Sequence, residues 1–155
     1  LGRSILLRLL ANRDENKDAG APQPVDLAAE RRNGDFVRGL VTGGDVTACH
    51  DVSDGGILVA VAEMALAGGI GASISTPDDG IPALAWLFGE DQARYLITAT
   101  AADKVLAAAK AAGVPAITIG RTGGTVLTMA DGNSISLSDL RNAHEGWLPG
   151  YMAAS

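Results

Sequence analysis

Pairs of adjacent glycines cut this chain into short pieces, and they restrict its fold more than any other feature. Gly43-Gly44, Gly55-Gly56, Gly68-Gly69 and Gly123-Gly124 each fall where one pattern of apolar residues gives way to another. A glycine pair weakens both helix and strand interiors, so each pair reads as an element boundary. The apolar stretches are interrupted by Glu63, Gly68 or Gly89, well short of the roughly 20 residues that a membrane span needs. What remains is an alternation of short helices and short strands.

The first piece, 1–10, is predicted as a short amphipathic helix capped by Ser4. The stretch from Asn12 to Pro24, rich in Asp, Asn, Gly and Pro, is predicted as an exposed loop. Asp26 caps a helix running to about Val41, with Phe36, Val37, Leu40 and Val41 on its apolar face. Then come a strand at 46–52, a helix at 57–66, a strand at 72–75, a short helix at 82–88 started by Pro82, a strand at 95–100 and an Ala-rich helix at 103–112. Strands at 116–119 and 126–129 are predicted to pair through a hairpin turn at Arg121–Gly124. A strand at 135–137 and a helix opened by Ser138 or Asp139 finish the chain. This order implies an α/β (α+β) fold, a mixed sheet covered by helices. At 155 residues the length is that of about one domain and suffices for a core. With 47% hydrophobic but only 4% aromatic residues, that core is built mainly from Ala, Val, Leu and Ile.

The formal net charge of −6 argues against a nucleic-acid partner, whose phosphates demand basic patches. The charge is uneven. Residues 1–41 carry seven Lys/Arg against six Asp/Glu, whereas residues 42–155 carry five against twelve. A site in the second part favours cations, or anions that arrive with a metal ion. The single cysteine, Cys49, excludes an internal disulfide framework and a multi-Cys zinc site. Its one neighbouring base, His50, points to the opposite face of a strand, so Cys49 reads as a structural thiol. The absence of a basic, apolar, small order at the start and of a membrane span makes the expected location cytoplasmic, with no membrane partner.

The segment His50-Asp51-Val52-Ser53-Asp54-Gly55-Gly56 carries the most chemistry. It lies where a strand stops and a helix starts, a place where unpaired backbone N–H groups and the helix dipole suit a phosphate. Two glycines admit a ligand close to the backbone. Two carboxylates in one turn repel that phosphate unless a hard cation lies between, and such oxygen ligands suit Mg²⁺. The plainer reading makes Asp54 a helix N-cap, Asp51 a turn residue and His50 a half-buried strand residue. A second polar cluster, Leu87 to Tyr95, offers Glu90 and Asp91 as acceptors and Gln92 and Arg94 as donors; the alternative is a solvated loop with a local ion pair worth little. Ile119–Gly124 has no following helix and reads as a tight turn. His144-Glu145-Gly146-Trp147 lacks the second His of a helical zinc motif, and Trp147 is expected to pack the C-terminus down.

Taken together, these segments resemble one family. Pro24-Val-Asp-Leu27 with Glu30, Thr47-Ala-Cys-His-Asp-Val-Ser-Asp-Gly-Gly56 running into Val59–Ala65, Leu87-Phe-Gly-Glu-Asp-Gln-Ala-Arg-Tyr95, Ile119-Gly120 and Ala143–Pro149 are similar to the C-terminal part of the synthetase subunits of phosphoribosylformylglycinamidine synthases. These belong to the superfamily of aminoimidazole ribonucleotide synthase. The resemblance implies a C-terminal domain partly related to the ferredoxin-like fold, occupying 26–155, with 1–25 leading in from an upstream ATP-binding domain. In that family ATP activates the amide oxygen of formylglycinamide ribonucleotide, and glutamine-derived ammonia displaces the phosphate to give an amidine.

This chain resembles the second copy of the C-terminal domain in a duplicated subunit, whose cleft is an auxiliary nucleotide site. The resemblance therefore implies Asp51 as a magnesium ligand, Ser53, Asp54, Gly55 and Gly56 near the phosphates of ATP or ADP, and Glu90, Gln92 and Arg94 at the substrate loop. It implies no catalytic residue in this stretch and no activity for the stretch alone. Its implied partners are the upstream domain, a glutaminase subunit and a small bridging subunit. The alternative is a non-catalytic docking module that braces an ATP-binding domain.

Overall fold

The computed structural model describes residues 4–10 and 24–153. The predicted loop from Asn12 lies outside the described residues up to position 23, as does most of the 1–25 lead-in. The chain divides into two compact units, Leu1–Ala60 with Asp78–Thr118, and Val61–Pro77 with Ile119–Ser155.

The first unit holds α1 (Ile5–Leu10), α2 (Leu27–Gly43), β1 (Ala48–Asp51), the start of α3 (Gly56–Gly68), α4 (Ala83–Phe88), β3 (Tyr95–Thr98) and α5 (Ala102–Ala111). Ser4 Oγ accepts from the Leu7 N–H at 3.4 Å, as the predicted cap requires. Asp26 Oδ1 accepts from the N–H groups of Ala28 and Ala29, both at 3.0 Å, which satisfies two of the orphan donors at the start of α2. Gly44 closes the helix by donating to Leu40 and Val41 carbonyls. β1 and β3 form a two-stranded antiparallel sheet with Asp51 opposite Tyr95 and Cys49 opposite Ile97. Its outer end is tied by Thr47, whose N–H donates to the Thr98 carbonyl at 2.7 Å and whose hydroxyl meets Thr98 Oγ1. Leu40, Val52, Ile57, Ala60, Trp86, Leu87, Val105, Ala109 and Val114 are buried, so the aromatic-poor composition is matched by an aliphatic core with Trp86 as its one large ring.

The second unit contains the end of α3, β2 (Ala72–Ile74), β4 (Gly120–Thr122), β5 (Val126–Met129), β6 (Ser134–Ser136), α6 (Leu137–Glu145) and α7 (Trp147–Ala153). Its sheet has the order β4-β2-β5-β6, with β2 and β5 parallel and the other pairs antiparallel. Ala72 and Ile74 are buried while Ser73 is exposed, the alternation of a strand with one covered face. Val61, Ala65, Leu127 and Leu137 complete this core.

Three sequence expectations are corrected here. The strand predicted at 116–119 begins at Gly120 instead, and it does not pair with 126–129: β4 and β5 take opposite edges of β2. The cause is a close approach at Gly71, whose N–H donates to the Gly124 carbonyl and whose carbonyl accepts from Gly123. A Cβ there would lie 2.3 Å from the Val126 carbonyl oxygen. The 123–126 segment therefore straddles the start of β2 rather than turning back on itself. The last predicted helix opens earlier than expected, because Ser136 rather than Ser138 or Asp139 accepts the capping bond, from the Asp139 N–H, and a further helix, α7, follows it. Trp147 does not pack the C-terminus down; it is 67% exposed and stacks on Tyr151 within α7.

The cap of α2 gives a direct test. Asp26→Ala should lower the stability of the chain by about 1 kcal/mol, whereas Asp26→Asn should change it by only a few tenths; thermal melts of the two variants against the parent read the difference.

Candidate functional site

The chemistry-bearing segments predicted from sequence meet in the first unit. β1 delivers Asp51 to the edge of the two-stranded sheet, and the chain then turns through Ser53-Asp54-Gly55-Gly56 into α3. Gly55 has φ 81° and Gly56 φ 75°, two successive left-handed residues that L side chains rarely adopt. A Cβ on Gly56 would stand 2.7 Å from the Leu87 carbonyl oxygen and 2.8 Å from that of Gly89. The second polar cluster thus lies directly against the first.

Glu90 makes the join. Its Oε1 accepts from the Gly55 N–H at 3.0 Å and from the Ile5 N–H, at the start of α1, at 2.8 Å. The rest of the loop is braced from within. The Arg94 guanidinium donates to the carbonyls of Gly89 and Asp91 and lies 3.8 Å from Asp91 Oδ2. Burial holds the Arg94 pKa below its ordinary value, with the Asp91 charge acting in the opposite direction. Asn33, on α2, donates from Nδ2 to the Ala93 carbonyl at 3.0 Å. Ala93 itself sits at φ 62°, a strained backbone for a residue with a Cβ. The Val52 N–H donates to the Arg94 carbonyl at 2.9 Å, which carries the β1–β3 pairing up to the turn. The Arg94 contacts with Asp91 and Gly89 are local, whereas those of Glu90 with Ile5 and Gly55, of Asn33 with Ala93 and of Val52 with Arg94 join residues whose proximity only the fold creates. Asn33 was missed for that reason.

The glycine turn does not present free amides. The Gly55 N–H is taken by Glu90 and the Gly56 N–H donates to the Ser53 carbonyl at 3.1 Å. Both glycines are buried, whereas Asp51, Ser53 and Asp54 are exposed. The expectation that unpaired glycine amides here point outward to a phosphate is therefore corrected: the chain's own carboxylate occupies the Gly55 donor. The N-cap alternative for Asp54 fails as well, since among the described residues its carboxylate accepts no hydrogen bond and forms no ion pair.

What projects from the turn is a set of oxygen donors. The Asp51 side chain is 71% exposed, with His50 Nδ1 3.9 Å from its Oδ1; the same ring nitrogen donates to the Asp51 carbonyl at 2.5 Å. Among the described residues no group of three or more His, Cys, Asp or Glu is arranged to enclose a metal ion. The exposed carboxylates of Asp51 and Asp54 are therefore separate oxygen groups at the turn and not part of an enclosing cluster. Cys49 and Asp51 lie on the same face of β1, two residues apart. Burial first, and the Asp51 charge second, push the Cys49 thiol above its ordinary pKa, so it is a poor nucleophile at neutral pH. Gln92 and Asp91 are exposed on the second loop, while Arg94 is partly covered.

Comparison with known proteins places these elements in a family. A family profile described as "AIR synthase related protein, C-terminal domain" matches residues 6–129. The chain belongs to that family of AIR synthase-related C-terminal domains. Among curated relatives, the phosphoribosylformylglycinamidine synthase subunit PurL of Parvibaculum lavamentivorans is 58% identical over 99% of this chain and 21% of its own length. The subunit of the same name from Rhodospirillum rubrum is 55% identical over 99% of this chain and 20% of its own. The chain therefore spans about a fifth of the length of these relatives. Among solved structures, Thermotoga maritima PurL complexed with ATP matches 76% of this chain and 22% of its own with a TM-score of 0.66 at 20% identity. The PurLQS structure from the same organism matches the same shares with a TM-score of 0.67 at 21% identity. These structures confirm the mixed α/β fold.

Two measurements check this site. Gly56→Ala should destabilise the chain by roughly 1–3 kcal/mol from the left-handed backbone alone, and by more because the new methyl meets the 87–89 backbone; a denaturant midpoint reads it. Asp51→Asn should lower the Cys49 pKa, because it removes the second cause of the upward shift, while the burial contribution remains. The variant then holds more thiolate at any given pH, and alkylation of Cys49 at pH 8 should be faster than in the parent.

Proposed function

We propose that this chain is the C-terminal domain of the synthetase subunit of a phosphoribosylformylglycinamidine synthase, an ATP-dependent carbon–nitrogen ligase of purine biosynthesis. The identity of 58% across 99% of the chain to a relative bearing that name carries the reading. The whole enzyme would join formylglycinamide ribonucleotide, ATP and glutamine-derived ammonia into the amidine. This stretch would supply one wall of an auxiliary nucleotide site and would make no product alone, since phosphoryl transfer needs positioning and charge stabilisation from a complete cleft.

Within that reading Asp51 would hold Mg²⁺ that accompanies ATP or ADP, and the metal would supply charge neutralisation for the phosphates. Exposed Ser53 and Asp54 would face the same ligand. Gly55 and Gly56 would shape the turn without lending their amides, which are already bonded. On the second loop Gln92 is the side chain most open to a substrate, with Arg94 and Glu90 engaged in the loop's own framework. The nucleotides named in the Thermotoga maritima PurL structures with ATP and ADP support a nucleotide as the ligand class.

The partners would be the upstream ATP-binding domain, a glutaminase subunit and a small bridging subunit, in the cytoplasm. Among the described residues no helix is long and apolar enough to cross a membrane. Exposed Trp147, Leu148, Tyr151 and Met152 on α7 form an apolar face of the kind that protein partners cover. A second reading, a bracing module without a ligand of its own, is favoured by one observation: the amides of Gly55 and Gly56 are satisfied internally.

Copurified nucleotide separates the two. In the full-length subunit Asp51→Asn should lose most of the retained nucleotide with little change in melting temperature, because an exposed strand-end carboxylate supports no core packing. Asp54→Ala should likewise leave the melting temperature nearly unchanged. Full nucleotide retention in Asp51→Asn would remove the metal assignment and leave the bracing module. Amidine formation by the 155-residue chain alone would overturn the proposal that it is inactive by itself.

A further inference from the structure

A single oxygen of Glu90 holds together three segments far apart in sequence. The Ile5 N–H opens α1, the Gly55 N–H sits in the turn between β1 and α3, and both converge on Glu90 Oε1 at 2.8 and 3.0 Å. The donors at residues 5 and 55 meet the acceptor at residue 90. Both are donors that a helix start leaves without an intrahelical partner, and a carboxylate is the strongest acceptor the chain can offer them. Glu90 is itself placed by the 87–89 backbone, which lies against Gly56, and by Arg94, which grips the Gly89 carbonyl.

We propose that Glu90 is a positioning residue that couples α1 to the Asp51–Gly56 turn. It fixes the Gly55 amide and thereby the direction in which Asp51, Ser53 and Asp54 are presented. It acts through the acceptor geometry of one oxygen, not through its charge on a ligand. α1 becomes part of the turn's support, so loosening either one loosens the other.

Amide hydrogen exchange in the full-length subunit tests this directly. Glu90→Ala should speed exchange at Ile5 and Gly55 together, by about 10- to 100-fold, the span that loss of one charge-assisted hydrogen bond gives. Glu90→Gln, which keeps an acceptor oxygen in the same place, should restore most of the protection at both amides. Ile5→Pro supplies a variant that leaves the carboxylate intact. Proline is tolerated at the first helical position, where it removes the N–H donor along with the half-buried Ile5 side chain. It should release α1 while protection at Gly55 falls by less than in Glu90→Ala.

The nucleotide arm rests on the function proposed above. Retained nucleotide should fall in Glu90→Ala and recover in Glu90→Gln. Unchanged exchange at both amides in Glu90→Ala would overturn the coupling. So would Glu90→Gln losing ligand as fully as Glu90→Ala while both amides stay protected, which would make Glu90 a charged ligand contact instead. Loss of nucleotide in none of the Glu90 or Asp51 variants, with exchange altered as expected, would count against the nucleotide reading and leave the coupling standing.

Discussion

The backbone of residues 87–89 occupies the space that a side chain at residue 56 would fill, with two carbonyl oxygens 2.7 and 2.8 Å from the missing Cβ. Much of the first unit follows from this contact. Because the turn into α3 abuts the loop after α4, β1 enters and β3 leaves the same place, and the two strands run side by side in antiparallel register. The same proximity brings Glu90 within reach of Gly55 and lets the Arg94 carbonyl accept from Val52. A glycine at position 56 is thus a requirement of packing as much as of backbone angle.

Electrostatics then decide what the site can hold. The turn and the loop bring Asp51, Asp54, Glu90 and Asp91 into one region of an acidic chain, and each is treated differently. Glu90 is consumed by two backbone donors, Asp91 is exposed with Arg94 3.8 Å away, Asp51 is exposed with His50 beside it, and Asp54 faces solvent. With the glycine amides already bonded, the turn offers oxygen acceptors rather than an anion cradle. This is the electrostatic basis on which a cation-accompanied phosphate is proposed as the ligand.

The second unit shows how one close backbone approach can redirect a topology. The hairpin suggested by Arg121-Thr-Gly-Gly124 has the right residues for a tight turn. Yet those glycines exchange hydrogen bonds with Gly71, and β2 takes the place between β4 and β5 that a hairpin would have left empty. Parallel pairing of β2 with β5 joins strands some fifty residues apart, and no local pattern records such a partner.

By itself the sequence determined the element order as far as α6, the cap at Asp26 and the break at Gly43-Gly44, and it pointed to the turn between β1 and α3 as the proposed site. These depend on neighbours within a few residues: side-chain periodicity, short polar caps and glycine backbone freedom act locally and are legible in one dimension. The family resemblance was legible for a related reason, because motif spacing survives in the chain itself. Only the tertiary structure decided that Glu90 bonds Ile5 and Gly55, that Asn33 holds Ala93, and that β4 and β5 flank β2. Each of these is a bond between groups separated by tens of residues. Its formation turns on which surfaces packing brings within about 3 Å, and hydrogen bonds fade so steeply with distance and angle that no one-dimensional pattern contains them.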